Sequence, residues 1–141
     1  MTDLEDPAAA VDRATGRYRG RTIARRFDSP DGFVILVGKA ADDNDALTFR
    51  IGRPDDFWLH VAGESGSHVI VLNDADVDRL PRATRDLAAA LAARYSKAKG
   101  GGWVSVHLCQ CRDVSKRRGA PAGEVQLRRW DSVKAKPAQI D

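Results

Sequence analysis

The sequence has few cysteines, no long apolar run and no export signal, and each absence excludes a class of protein. Two cysteines in 141 residues, Cys109 and Cys111, are too few for the disulfide framework of a small secreted domain. No apolar run approaches the roughly 20 residues that a transmembrane helix needs. The start of the chain, MTDLEDPAAAVDRATGR, has neither an apolar core nor an Arg- and Ser-rich, acid-poor composition. We therefore expect a cytoplasmic protein without a membrane partner.

The length and composition are those of one folded domain. Hydrophobic residues make up 43% and charged residues 30%, which is ordinary for a globular protein. A chain of 141 residues can bury a core without disulfides or a structural metal. We expect a flexible leader at residues 1–18, the folded domain at 19–131 and a flexible tail at 132–141.

The positive charge is concentrated toward the two ends of the sequence, although the net charge is only +3. Residues 13–26 contain six arginines and no acidic residue, and residues 94–141 contain eleven basic and four acidic residues. Between them, residues 27–93 contain six basic and twelve acidic residues. Basic ends that fold onto one face would suit a phosphate-rich partner, whereas the alternative is that these charges are simply solvated.

Hydrophobic periodicity predicts an α+β domain with the order β-β-(α)-β-β-α-β-β. We expect a mixed, largely antiparallel sheet covered by one main helix, at about residues 81–98, and a short helix near 42–50. The run FVILVG lacks polar alternation, which predicts a strand buried on both faces that forms a hairpin with the preceding strand. The predicted strands span residues 19–28, 33–38, 56–62, 67–72, 103–111 and 123–130.

The ends of the two predicted helices carry recognisable signals. Pro81 suits the first turn of the main helix, and Gly100 and its two following glycines end it. Lys97 and Lys99 would then lie where the helix dipole favours cations. In the short helix, we expect a cap from one of the adjacent polar residues Asp42, Asp43 or Asn44.

Three histidines and two cysteines are the candidate metal ligands. Cys109 and Cys111 are separated by one residue, whereas structural zinc sites use pairs separated by two to four residues and need a second pair. A free cysteine packs well as a small hydrophobic side chain. We therefore predict no metal and no cofactor.

Catalysis is a second interpretation of the stretch WLHVAGESGSHVIV, residues 58–71. Ser65 or Ser67 with a nearby histidine could act as nucleophile and base. However, GESGS does not have the G-x-S-x-G spacing of a nucleophile elbow and does not precede a long helix. A loop between two strands is the simpler interpretation.

The same stretch also has features that suit a nucleic acid. The glycines of GESGS let the backbone approach a ligand, and successive amides with serine hydroxyls can hold a phosphate. Trp58 and His60 alternate onto one face of their strand, where they could stack on bases. Whether His68 joins that face depends on the length of the loop, so a core histidine remains the alternative for either one.

A basic loop, SKRRGAPAG, spans residues 115–123 and contains Lys116, Arg117 and Arg118 in a row. Guanidinium groups match phosphate geometry, and such loops give salt-sensitive contacts with a nucleic-acid backbone. Lys97 and Lys99 would extend that surface. The alternative is a loop that only keeps the protein soluble.

Several short motifs occur together in one order along the chain. They are Val37-Gly38, Asn44-Asp45, Leu47-Thr48, Asp56, Trp58-Leu59-His60-Val61, Gly66-Ser67-His68-Val69, Tyr95-Ser96, Val114, Lys116 and Gly123. In this combination, from about Arg21 to Trp130, the sequence closely resembles the NFACT-R domain (DUF814). That domain is the RNA-binding module of ribosome quality control proteins once called fibronectin-binding proteins.

The resemblance implies RNA binding, with tRNA or ribosomal RNA as the ligand and the large ribosomal subunit as a candidate partner. Full-length members also carry an N-terminal domain, a helix-hairpin-helix segment and a coiled coil, which do not fit in 141 residues. We therefore expect a free-standing RNA-binding module without catalysis, and the tailing of stalled chains is not transferred. The expected RNA-binding residues are Asn44, Trp58, His60, Gly66, Ser67, His68, Lys97, Lys116, Arg117 and Arg118.

Two other functions compete with RNA binding alone. An RNA-processing or RNA-modifying enzyme would use His60 and His68 in its site. An extracellular adhesin, implied by the older family name, fits poorly with the absence of an export signal. The sequence also departs from the family at Ser65, where proline is common in the pattern GxPGSHV, and this puts the geometry of the loop in doubt.

Overall fold

The computed structural model describes residues 10–139, which form a sheet with helical elements on both faces. The helices are α1 (Ala41–Ala46), which continues as a π-helical turn (Leu47–Ile51), and α2 (Arg82–Arg94). The strands are β1 (Arg17–Tyr18), β2 (Arg21–Thr22), β3 (Ala24–Asp28), β4 (Val34–Gly38), β5 (Phe57–Val61), β6 (Val69–Val71), β7 (Val104–Gln110), β8 (Val114–Ser115), β9 (Gln126–Leu127) and β10 (Asp131–Ala135).

Six of these strands form the central sheet in the order β10-β7-β5-β6-β4-β3. Every neighbouring pair in this sheet is antiparallel, so the predicted α+β class with a largely antiparallel sheet is confirmed. The expected hairpin is also present, because Ala24 pairs with Gly38 and Asp28 with Val34. The predicted strand at 19–28 is divided into β2 and β3.

Both faces of the sheet are covered, which explains the continuous apolar run in β4. Ile35 and Val37 pack with α2 on one face, whereas Leu36 packs on the other face with Leu47 and Ile51. All five side chains are almost completely buried, and burial of each contributes roughly 1.5–3 kcal/mol. A strand between two cores needs no polar alternation, as the sequence predicted.

Helix α2 confirms the predicted main helix but ends earlier than expected. Pro81 is its N-cap residue and Tyr95 its C-cap residue, so Lys97 and Lys99 lie beyond the helix rather than in its last turn. The cause is a tertiary contact: the Ser67 N–H donates to the Tyr95 carbonyl at 2.8 Å. This hydrogen bond occupies the carbonyl of the C-cap residue Tyr95, and the chain leaves the helix there, before it reaches Gly100.

The short helix near 42–50 is confirmed, whereas its predicted cap is wrong. Ala40 is the N-cap residue and provides no side-chain bond. Asp42 and Asp43 lie inside the first turn, where their charges favour the N-terminal end of the helix dipole. Asn44 is buried, and its side-chain oxygen accepts the His68 backbone N–H instead of capping the helix.

The two ends of the described chain take part in the fold. Arg13, which the sequence placed in the leader, donates to the Asp56 carboxylate at 2.7 Å and to the Ile51 carbonyl at 2.8 Å. Ser132–Ala135, which the sequence placed in the tail, belong to β10 and pair with β7. Both assignments are therefore corrected, while residues 1–9 and 140–141 of the predicted leader and tail lie outside the described residues.

The last predicted strand, residues 123–130, is also wrong for most of its length. Only Gln126–Leu127 pair, and they pair with Val114–Ser115 rather than with the central sheet. The edge position belongs instead to β10, whose Val133 and Ala135 pack beside α2. In the part of the chain that the structure describes, no helix is long and apolar enough to cross a membrane.

Candidate nucleic-acid interface

The three histidines lie in one row across the sheet, on the face opposite α2. Leu59 pairs with Val69, which places His60 opposite His68 in the antiparallel register. His60 also pairs directly with His107 of β7. The ring centroids of His60 and His68 are 5.7 Å apart. The question that the loop length left open is therefore answered: the two histidines share a face.

His68 is a buried histidine whose two ring nitrogens are both occupied. The Gly123 carbonyl can only accept a hydrogen bond, so His68 Nε2 carries the proton and donates to it at 3.0 Å. Nδ1 of the neutral ring then accepts from the Thr48 hydroxyl at 2.7 Å, and Thr48 Oγ1 in turn accepts from the Trp58 indole N–H at 3.1 Å. Burial lowers the pKa of His68 from 6.5 to about 4, so this neutral tautomer persists at pH 7.

Three of the predicted RNA contacts therefore have a structural role. Trp58 and His68 are each 1% exposed, and Asn44 Oδ1 accepts the His68 backbone N–H at 3.1 Å. Gly38 lies so close to Asn44 that an added Cβ would overlap the carboxamide. The fold packs these residues beneath the surface, so direct contact with RNA by them stays a prediction that their burial disfavours. The burial of His68 likewise disfavours catalysis by His68 together with His60, which also stays a prediction.

A cavity of about 790 Å³ opens above the histidine row; we call it the histidine cavity. His60 is half-buried in its wall, and burial lowers the pKa of this imidazole. The Trp130 indole lies 5.2 Å from the His107 ring, centroid to centroid, and Trp130 is 49% exposed. The other residues that line the cavity include Trp58, Gly63, Glu64, Ser65, Gly66, Lys97, Pro121, Gly123, Glu124 and Leu127.

The loop GESGS is attached to the end of α2. The Lys97 N–H donates to the Ser65 carbonyl at 2.9 Å, and Gly66 forms a bridge with Ser96. A Cβ on Gly66 would come within 2.7 Å of the Ser96 Cβ, so glycine is needed for this close approach. The Ser67 hydroxyl donates to the Gly38 carbonyl at 2.7 Å. The loop therefore has a defined geometry without the proline that the family often has at Ser65.

A groove of about 540 Å³ adjoins this loop; we call it the cationic groove. Its described lining has no acidic residue and contains five basic ones: Arg25, Lys39, Arg94, Lys97 and Lys99. Within residues 10–139, none of the five pairs with a carboxylate. The Arg25 guanidinium also lies over the Tyr95 ring, 5.0 Å from its centroid.

Sequence reasoning found Lys97 and Lys99 but missed the other cations of this groove. Arg25 lies on β3, Lys39 follows β4 and Arg94 ends α2. Only the strand order brings these distant positions together. The excess of arginine in residues 13–26 was the available signal, but it did not show which arginines share a face.

The basic loop lies beside the histidine cavity, but its lysine is turned inward. Lys116 Nζ donates to the carbonyls of Pro121 at 2.6 Å and Glu124 at 2.9 Å, and it pairs with Asp45 at 3.3 Å. Its ammonium therefore holds the loop together.

The two arginines of the loop are placed differently. Arg117 is exposed and pairs with Glu124 at 3.1 Å, and Arg118 is exposed. Lys116 is thus engaged within the loop, and phosphate contact by the exposed Arg117 and Arg118 stays a prediction.

The cysteines pack in the core. Cys109 and Cys111 are buried and free, and burial raises the pKa of the Cys109 thiol to about 12 and that of Cys111 as well. Both therefore remain thiols near neutral pH. Among residues 10–139, no three His, Cys, Asp or Glu side chains are grouped so that they could hold a metal ion.

The chain is similar in sequence to two proteins named Rqc2 homolog RqcH. The Rqc2 homolog RqcH of Bacillus subtilis (strain 168) is 37% identical over 103 residues, which cover 73% of this chain and 17% of that protein. The Rqc2 homolog RqcH of Streptococcus suis (strain 05ZYH33) is 31% identical over 120 residues, covering 84% of this chain and 21% of that protein. The chain thus spans about a fifth of the length of these relatives.

A solved structure has the same fold. The C-terminal region of the fibronectin/fibrinogen-binding protein from Streptococcus suis is similar with a TM-score of 0.78 and 31% identity, over 84% of this chain and 47% of that chain. The sequence profile described as "NFACT protein RNA binding domain" matches residues 24–129, which is most of the chain. This chain therefore belongs to the NFACT RNA-binding domain family.

Proposed function

We propose that this chain is an RNA-binding module of ribosome-associated quality control that contacts tRNA or ribosomal RNA, with the large ribosomal subunit as a partner, in the cytoplasm. Membership of the NFACT RNA-binding domain family and similarity to proteins named Rqc2 homolog RqcH support this role. The observation that carries the proposal is the cationic groove beside the loop GESGS.

The charges of the groove suit a phosphate backbone. Arg94, Lys97 and Lys99 follow one another at the end of α2, and Arg25 and Lys39 contribute from the sheet. Since none of them pairs with a carboxylate within residues 10–139, RNA binding would not first have to break an ion pair. Each neutralised phosphate releases counterions, so the affinity should fall steeply with salt concentration.

We propose that the module binds RNA without catalysing a reaction. Support comes from His68, whose Nδ1 accepts from Thr48 and whose Nε2 donates to Gly123. A general base needs a free lone pair within reach of the substrate, and His68 has none in this arrangement. Turnover of RNA that disappears in the H60A/H68A double variant would contradict this part of the proposal.

The test of RNA binding is a pair of charge-matched double variants near the two ends of α2. R94A/K97A removes two positive charges from the cationic groove, and R79A/R82A removes two from the region where α2 begins. We expect the slope of log affinity for tRNA against log salt to fall by about two units in R94A/K97A and to stay unchanged in R79A/R82A. Equal slopes in the two variants would overturn the proposal.

The basic loop is tested with the same measurement. Arg117 and Arg118 have exposed side chains in the basic loop, whose residues 121–123 line the histidine cavity, so we expect R117A/R118A to reduce the salt slope as well. An unchanged slope would remove the loop from the interface while leaving the cationic groove in it.

A further inference from the structure

We propose that the histidine cavity receives one unpaired nucleobase of the bound RNA, while the cationic groove holds the adjoining phosphates. This inference rests on the proposed RNA-binding function and specifies the ligand class of its second site. The two sites are contiguous, since Ala41, Asn44, Ser65, Gly66 and Lys97 line both. A nucleotide has the same division into an aromatic base and a charged phosphate.

The wall of the cavity offers flat aromatic surfaces. The His60 ring stacks on the buried Trp58 indole at 5.8 Å with 16° between their planes. His107 and Trp130 form a second aromatic pair, tilted by 46°. Trp130 is half-exposed in the free protein, although a large aromatic side chain gains free energy when it is covered. A stacked base would cover it.

Small residues next to the histidine row leave room for such a ring. Gly63, Gly66 and Gly123 line the cavity without side chains, and Ala41 and Ala122 each contribute only a methyl group. The volume of about 790 Å³ lies within the roughly 300–1,000 Å³ of small-molecule pockets.

The histidine cavity and the cationic groove differ in the charges of the residues that line them. The histidine cavity is lined by Glu64 and Glu124 and by one cation, Lys97, whereas the cationic groove contains five cations. The carboxylates disfavour a phosphate inside the cavity but can accept hydrogen bonds from the N–H groups of a base. The phosphate is therefore expected in the groove and the base in the cavity.

A base can enter this cavity only when it is not paired. Sequence-specific RNA readers in general hold unstacked bases from loops, bulges and ends on aromatic side chains. This chain should therefore bind an RNA with an accessible unpaired nucleotide more tightly than a continuous duplex.

The experiment compares hairpin RNAs that carry one bulged nucleotide, A, C, G or U, with the same hairpin carrying an abasic bulge. We expect the hairpin with at least one of these bulged bases to bind about 5- to 150-fold more tightly than the abasic hairpin, the range for one base stacked on an aromatic side chain. W130A should remove that difference, and H60A should reduce it. W103A is the matched control, because Trp103 is exposed at 65% and lies outside the cavity.

The outcomes distinguish this inference from the proposed function. If bulged and abasic hairpins bind equally while R94A/K97A weakens both, the cavity does not take a base, and RNA binding by the groove stands. If W130A weakens bulged and abasic hairpins by the same factor, Trp130 contacts the RNA backbone and the inference is overturned. If R94A/K97A changes neither affinity nor salt slope, the proposed function itself fails.

Discussion

Replacing Thr48 with valine tests the buried hydrogen-bond chain that supports the histidine row. The Thr48 hydroxyl accepts from the Trp58 indole and donates to His68 Nδ1, and Thr48 is only 3% exposed. Valine has nearly the same shape but leaves both partners without a bond. Each buried polar atom left unsatisfied costs about 1–3 kcal/mol, so we expect T48V to lose about 2–4 kcal/mol of the free energy of unfolding.

Urea unfolding followed by tryptophan fluorescence measures this loss. With a slope of about 2 kcal/mol per molar, the midpoint should fall by roughly 1–2 M without a change in slope. Thr15→Val is the control: Thr15 is exposed, and its replacement should stay within about 0.5 kcal/mol of the wild type. If T48V unfolds at the same urea concentration as T15V, the chain of bonds does not stabilise the fold and the reasoning is refuted.

Three further predictions concern the same region. First, the pKa of His68 is about 6.5 in the unfolded chain and about 4 in the folded protein, so the unfolded chain binds the proton more tightly. The free energy of unfolding should therefore fall by about 3 kcal/mol as the pH drops from 6.5 to 4. The unfolding free energies at pH 7 and 4.5 should differ less in H68Q, and an equal difference would contradict the assignment. Second, K116A should speed amide hydrogen exchange at residues 117–124, because the two carbonyl bonds of the ammonium are lost; unchanged exchange would show that the loop does not depend on it. Third, G38A should lower the free energy of unfolding by about 1–3 kcal/mol, because the added methyl group would displace the Asn44 carboxamide that accepts the His68 N–H. G100A, which has open space around it, should not lower this free energy, and equal effects of the two variants would refute the close packing.

The sequence was sufficient for the core elements because their signals are local. The apolar run of β4 and the stripe of α2 predicted elements whose buried faces the structure confirms. The edge strand β10 was missed, because DSVKA has only Val133 and Ala135 as inward-facing residues and follows a stretch of turns. Such a short alternation is identified only once its partner strand is known.

The sequence predicted which stretch of the chain forms the site, but it did not predict what each residue of that stretch does. The pattern from Trp58 to His68 identified the right face, yet hydrogen bonds from Thr48 and Gly123 decide that His68 is structural. Both partners are 20 residues or more away along the chain. The cationic groove likewise depends on strand order, which charge counts do not contain.

The measurement that tests the central claim most directly is an NMR titration of the isotope-labelled chain with tRNA. RNA binding on the proposed face should shift the backbone amides of residues 63–67 and 94–99 most, with smaller changes near His107 and Trp130. Shifts confined to Arg82, Arg85, Asp86 and Trp103, which line a different part of the surface next to β10, would contradict the account.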